Sequence, residues 1–129
     1  MADAVTSQTT FDGLRRAVMK FTNISDGTGE SAVLKVDVSA LSGAPARVSI
    51  DEIEFATAGM GVDIHWDATT DDLAWHVPAN ETGKHCFRNE GGMHNPKSSG
   101  WTGDIRFTTV DQASGDRYSI ILHMIKKAD

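Results

Sequence analysis

Five histidines are many for a chain of 129 residues, and they are the first candidates for chemistry: His65, His76, His85, His94 and His123. Neutral imidazole is a common metal ligand, and a carboxylate two residues along a strand lies on the same face. His65-Trp66-Asp67 has that spacing, and His76 follows on the next alternating run. If those runs pair, His65, Asp67 and His76 make the three-ligand set of a metal-dependent, cupin-like enzyme. The chain has no His-x-His, however, and the plainer reading is the polar face of a sheet. His85-Cys86 with His94 forms a second grouping. Cys86 sits between His85 and Phe87 and reads as a small buried apolar residue. A Cys–His nucleophilic pair would also need an orienting Asn or Asp and an oxyanion site, and no spacing here proposes one. Asp26-Gly27-Thr28-Gly29-Glu30 lacks the ligand spacing of a calcium loop and reads as a flexible hairpin turn. Neither a Gly-x-Ser-x-Gly elbow nor a phosphate-binding Gly-x-x-x-x-Gly-Lys occurs. The chain therefore reads as non-enzymatic, with no catalytic residue, cofactor or metal assigned.

Binding surfaces are the next possibility. Trp66 and Trp75 fall on the apolar phase of their runs and read as core. Trp101 sits among glycines in Ser98-Ser99-Gly100-Trp101-Thr102-Gly103, within a long loop from Arg88 to Gly103 that also holds Met93, His94 and Pro96. Residues 1–13 are rich in Ala, Ser and Thr and read as an extended N-terminal arm able to add a strand to a neighbour. The candidate contact residues are Val5 and Phe11 on the arm and Met93, His94 and Trp101 in the loop.

The charge balance restricts the partners. Twelve Lys and Arg against 18 Asp and Glu give a net charge of −6, and the only basic pairs are Arg15-Arg16 and Lys126-Lys127. Nucleic-acid binders carry a basic stripe, so no nucleic-acid partner is expected. No apolar run approaches the roughly 18 residues of a membrane span, and no secretion signal is visible. One cysteine excludes an intramolecular disulfide and a multi-cysteine metal site.

The elements that must position these residues read as strands. Val62, Ile64 and Trp66 alternate with polar residues, as do Leu73, Trp75 and Val77; Ile105 and Phe107; Tyr118, Ile120, Leu122 and Met124; and Leu34, Val36 and Val38. Arg16–Ile24 favours a strand over a helix. Val48-Ser49-Ile50 and Ile53-Glu54-Phe55 are out of phase by one, which predicts a long strand with a β-bulge near Asp51-Glu52. Gly-, Ser- and Asp-rich turns separate the runs. About eight short strands predict one all-β domain over residues 14–129, an antiparallel β-sandwich of jelly-roll type.

Ala4–Thr9, Val18–Ala32, Val36-Asp37-Val38-Ser39, Ile64-His65-Trp66-Asp67 and Gly103–Thr109 together resemble stretches of small virion structural proteins of tailed bacteriophages. The resemblance implies a structural role on the virion, made in the bacterial host cytoplasm. The favoured form is a capsid decoration, or cement, protein that binds the major capsid protein and self-associates as a homodimer or homotrimer. It carries no catalytic residue across. A neck or tail component, or a receptor- or carbohydrate-binding module of the particle, is the alternative, and a cupin-like enzyme the third.

Overall fold

The computed structural model describes residues 4–27, 29–68, 72–87, 92–93 and 101–127. Nine strands are present among them: β1 Ala4–Asp12, β2 Arg16–Ile24, β3 Val33–Val36, β4 Arg47–Ala58, β5 Gly61–Ala68, β6 Asp72–Val77, β7 Thr82–Cys86, β8 Trp101–Val110 and β9 Arg117–Lys127. One turn of 3-10 helix, Val38–Ala40, follows β3. No described helix is long and apolar enough to cross a membrane.

The strands form two sheets, ordered β1-β2-β9-β4-β7 and β3-β8-β5-β6, and every ladder is antiparallel. With β1 set aside, the chain crosses between sheets after β2, β3, β4, β6, β7 and β8 and stays in one sheet only for the β5–β6 hairpin. That order is the double Greek key of a jelly roll. The expected sandwich is therefore the architecture, and the expected N-terminal arm lies along its own chain as β1, paired with β2 from Ala4↔Ile24 to Asp12↔Ala17.

Inward-facing residues of both sheets make one core. Ala17 and Phe21 of β2, Val48, Ile50 and Ile53 of β4, Val62, Ile64 and Trp66 of β5, Ile105 and Phe107 of β8, and Tyr118, Ile120, Leu122 and Met124 of β9 are all buried in it. The expected bulge is present: the β4–β9 register skips between Ile50 and Glu52. Asp51 is the extra residue. Its carbonyl accepts the Phe87 amide at 2.8 Å, and its carboxylate takes Arg16 Nη2 at 2.5 Å. The skip keeps Ile50 and Ile53 inside although they are three residues apart, and it turns Glu52 and Glu54 to the outer face.

A second bulge overturns the reading of β3. Its register with β8 skips between Leu34 and Val36, so Lys35 turns inward while Leu34 is exposed. The ammonium meets Glu30 Oε2 at 2.5 Å. Tyr118 Oη and Asn23 Nδ2 donate to Glu30 Oε1 at 2.6 and 2.8 Å. Glu30 is thus an interior anchor, and the segment read as a flexible hairpin turn is a crossover pinned between the sheets. Its backbone is tied to β8 as well, where Thr109 N donates to Glu30 O at 2.9 Å and Ala32 N donates to Thr108 Oγ1 at 2.9 Å. The network rests on aromatic rings. Phe107 meets Phe21 edge-on at 5.1 Å between centroids and Tyr118 at 6.0 Å, and Lys35 Nζ lies 5.9 Å from the Phe107 centroid.

Candidate interaction surface

The β1–β2 hairpin tip carries the most exposed large apolar side chain among the described residues. Asp12-Gly13 starts the turn, closed by Gly13 N donating to Arg16 O at 2.9 Å. Leu14 at the tip is 95% exposed, and Phe11, just before it, is 56% exposed. Beside the tip lies a shallow groove of about 350 Å³ walled by Leu14, Ser42, Gly43, Pro45 and Lys126.

Lys126 fixes this geometry. Its side chain is nearly enclosed, and its ammonium donates to Asp12 Oδ1 at 2.5 Å, Gly13 O at 2.5 Å and Ser42 O at 2.9 Å. Asp12 Oδ2 accepts the Ser42 amide at 2.9 Å. One ammonium thus ties β9 to the hairpin tip and to the loop after the 3-10 turn. The bond from Lys126, then that from the Ser42 amide, holds the Asp12 carboxyl below its ordinary value of 3.8. A depressed carboxylate stabilises the fold above its unfolded pKa, and that contribution is lost as pH falls through the folded-state value. Amide-exchange protection at residues 11–16 is therefore expected to drop below about pH 4 relative to β4 and β9. Asp12→Asn is expected to lower protection at neutral pH and to abolish the acid response. An unchanged acid response in that variant would show that Asp12 is not the group responsible.

The other sequence candidates are dispersed. Val5 pairs through its backbone with Asn23 in the β1–β2 ladder. Met93 does not stand free in a loop. It bridges Ile50 through two backbone hydrogen bonds of 2.9 and 2.7 Å and packs half-buried against the core. Trp101 opens β8, paired with Ala68 in register, so the glycine-flanked tryptophan is a strand residue rather than part of the loop. His94 lies outside the described residues, as does most of the Arg88–Gly103 stretch.

The three-ligand set proposed on β5 and β6 does not assemble. The β5–β6 register sets His76 opposite Asp63, four residues along the strand from Asp67, and a bulge beyond it sets His65 opposite Leu73. His76 Nδ1 pairs with Asp63 Oδ1 at 2.5 Å, and Asp67 Oδ1 accepts Arg106 Nε at 2.8 Å. The His85–Cys86 grouping also separates. His85 stacks on Phe87 at 4.5 Å and on Trp75 at 5.2 Å, whereas Cys86 is exposed, not buried. It lies on edge strand β7, exposed along its whole length, so alternation there does not report burial.

Sequence reasoning did not single out Leu14, Asp12 or Lys126 for this surface. Asp12 and Gly13 read only as the end of the arm, and Lys126-Lys127 only as a basic pair.

No protein-family model matches the chain, and no curated protein does. Among solved structures it is similar to a cupin superfamily protein from Desulfitobacterium hafniense, at 9% identity and TM-score 0.38 over 98% of this chain and 81% of that one. A mutant of a family 29 carbohydrate-binding module is similar at 10% identity and TM-score 0.41, over 98% and 82%. PirA is similar at 8% identity and TM-score 0.35, over 95% of each chain. Likenesses at these values specify neither a family nor an activity.

Proposed function

We propose that this is a non-enzymatic structural protein of a tailed-phage virion, a decoration or cement protein that docks on the outside of the major capsid protein shell and self-associates as a dimer or trimer. The resemblance of Val18–Ala32 and Gly103–Thr109 to such proteins supports the virion role. The observation that carries the docking role is β1, a nine-residue strand at the end of its sheet's order with Phe11 and Leu14 exposed beside it. Its outer edge pairs with no other strand among the described residues, which leaves main-chain groups for an added strand, and the two apolar side chains offer anchors. A cement protein needs a rigid body, an adhesive edge and symmetric copies, and it needs no active site.

The test is binding of the purified protein to shells of the source phage assembled without it. Phe11→Asp and Leu14→Asp change exposed positions, so folding is retained, and each is expected to weaken binding about tenfold. Deletion of residues 2–12 is expected to abolish occupancy. Full occupancy by all three variants would remove the β1 surface from docking. A cryo-electron reconstruction locates the protein: hundreds of symmetric copies fit the cement role, and a few copies at one vertex move it to the neck or tail.

A second reading, a carbohydrate- or receptor-binding module of the particle, draws on the Trp75–His85–Phe87 ring cluster, in which His85 is exposed. Saccharide-dependent quenching of tryptophan fluorescence would favour it, and no quenching across a saccharide panel would set it aside.

A further inference from the structure

We infer that the outer face of the five-stranded sheet carries a divalent-cation site of the zinc class, formed by Glu52 and Glu54 of β4 and His123 of β9. The Asp51 bulge turns both carboxylates outward, two residues apart on one face, and the register sets His123 directly across from Glu52. One ligand atom from each of the three lies within 4.8 Å of the others, and no other such group occurs among the described residues.

One imidazole nitrogen faces both carboxylates. His123 Nε2 is 3.4 Å from Glu54 Oε2 and 3.6 Å from Glu52 Oε2. Good N–H···O bonds run at about 2.7–3.2 Å, so the imidazole is not drawn fully onto either carboxylate. Donors around a tetrahedral zinc, each about 2.0–2.1 Å from the metal, stand about 3.3–3.4 Å from one another. The two histidine–carboxylate spacings therefore lie close to the edge length of a zinc coordination polyhedron. Burial is graded to suit an ion bound at a surface: the side chains of Glu52, His123 and Glu54 are 10%, 24% and 38% exposed. Two carboxylates and one neutral imidazole neutralise a divalent ion and leave a position for water. Cys86 is paired with Glu52 across β4–β7 and is the one thiol bordering the set.

The experiment is calorimetric titration of zinc chloride into untagged, chelator-stripped full-length protein. One zinc per chain is expected, with a dissociation constant in the micromolar range or tighter. Thermal unfolding should shift upward with zinc, because an ion that binds only the native state stabilises it. His123→Ala and Glu54→Gln alter outer-face groups that take no part in the core, so both should unfold as the wild type does without metal. Loss of an outer-shell partner alone costs about 10- to 100-fold in affinity, so His123→Ala is expected to cost about 100-fold or more. Cys86→Ser is expected to retain stoichiometric binding. No zinc binding by the wild type, or wild-type affinity in both His123→Ala and Glu54→Gln, overturns the site. Loss confined to Cys86→Ser overturns it in favour of an exposed thiolate.

Discussion

Replacing Lys35 with alanine is expected to destabilise the domain by about 3–5 kcal/mol, the cost of leaving one member of a buried ion pair without its partner. On a domain of this size the total stability is about 5–15 kcal/mol, so the loss would be severe. The pair is enclosed: Lys35 and Glu30 are each less than one-tenth exposed. Tyr118 and Asn23 both donate to Glu30, so the carboxylate left behind has fixed hydrogen bonds but no cation. Urea denaturation of Lys35→Ala, with the slope unchanged and the midpoint lowered, is the check. The loss should persist in high salt, because a buried pair is poorly screened. The double variant Glu30→Gln/Lys35→Met removes both charges yet keeps an oxygen for Tyr118 and Asn23, and it is expected to recover most of the loss. A cost of Lys35→Ala below about 1 kcal/mol would mean the pair behaves as a surface salt bridge.

Phe107→Ala is expected to cost about as much, roughly 3–5 kcal/mol, as for other fully buried phenylalanines. The ring has no exposed surface and lies between Phe21 and Tyr118, so its removal opens a cavity that two other aromatic rings cannot close. The unfolding midpoint should fall by roughly 10–20 °C. Because Lys35 lies over the same ring, the two single costs should not add: the double variant Lys35→Ala/Phe107→Ala should lose less than their sum. Additive losses would indicate that ring and ion pair are energetically independent. Leu14→Ala, far from the core, is the control and is expected to change stability by less than about 0.5 kcal/mol.

Much of the sandwich is legible in the chain because alternation reports burial wherever one face of a strand meets the core. The β5, β8 and β9 patterns are of this kind, and the phase break at Asp51-Glu52 located a bulge correctly. Alternation fails where a strand is short and its bulge is set by a distant partner. Nothing near Leu34-Lys35-Val36 signals that Lys35 is the inward residue, because its Glu30 partner lies in a crossover and the register comes from β8. It fails again on β7, where an edge position leaves Cys86 in water. The histidine that meets two carboxylates was equally hidden. His123 and Glu54 are 69 residues apart, and only the insertion of β9 beside β4 joins them. The expected His65–Asp67–His76 set needed His76 level with His65 and Asp67, whereas the ladder pairs it with Asp63.

The strand order also governs how a growing chain becomes a protein. The five-stranded sheet holds β9 between β2 and β4, and the four-stranded sheet holds β8 between β3 and β5. On the ribosome, a nascent chain that has reached residue 87 can form only the β1–β2, β5–β6 and β4–β7 ladders. Each of these is a separate ribbon without a closed core. Residues 101–127 must emerge before either sheet becomes continuous. Folding is therefore held back until the two central strands insert late between partners already made, a high-contact-order route of the slow kind. Loss of β9 would leave β2 and β4 with open edges and no common neighbour, so truncation there would yield an aggregating chain rather than a smaller domain.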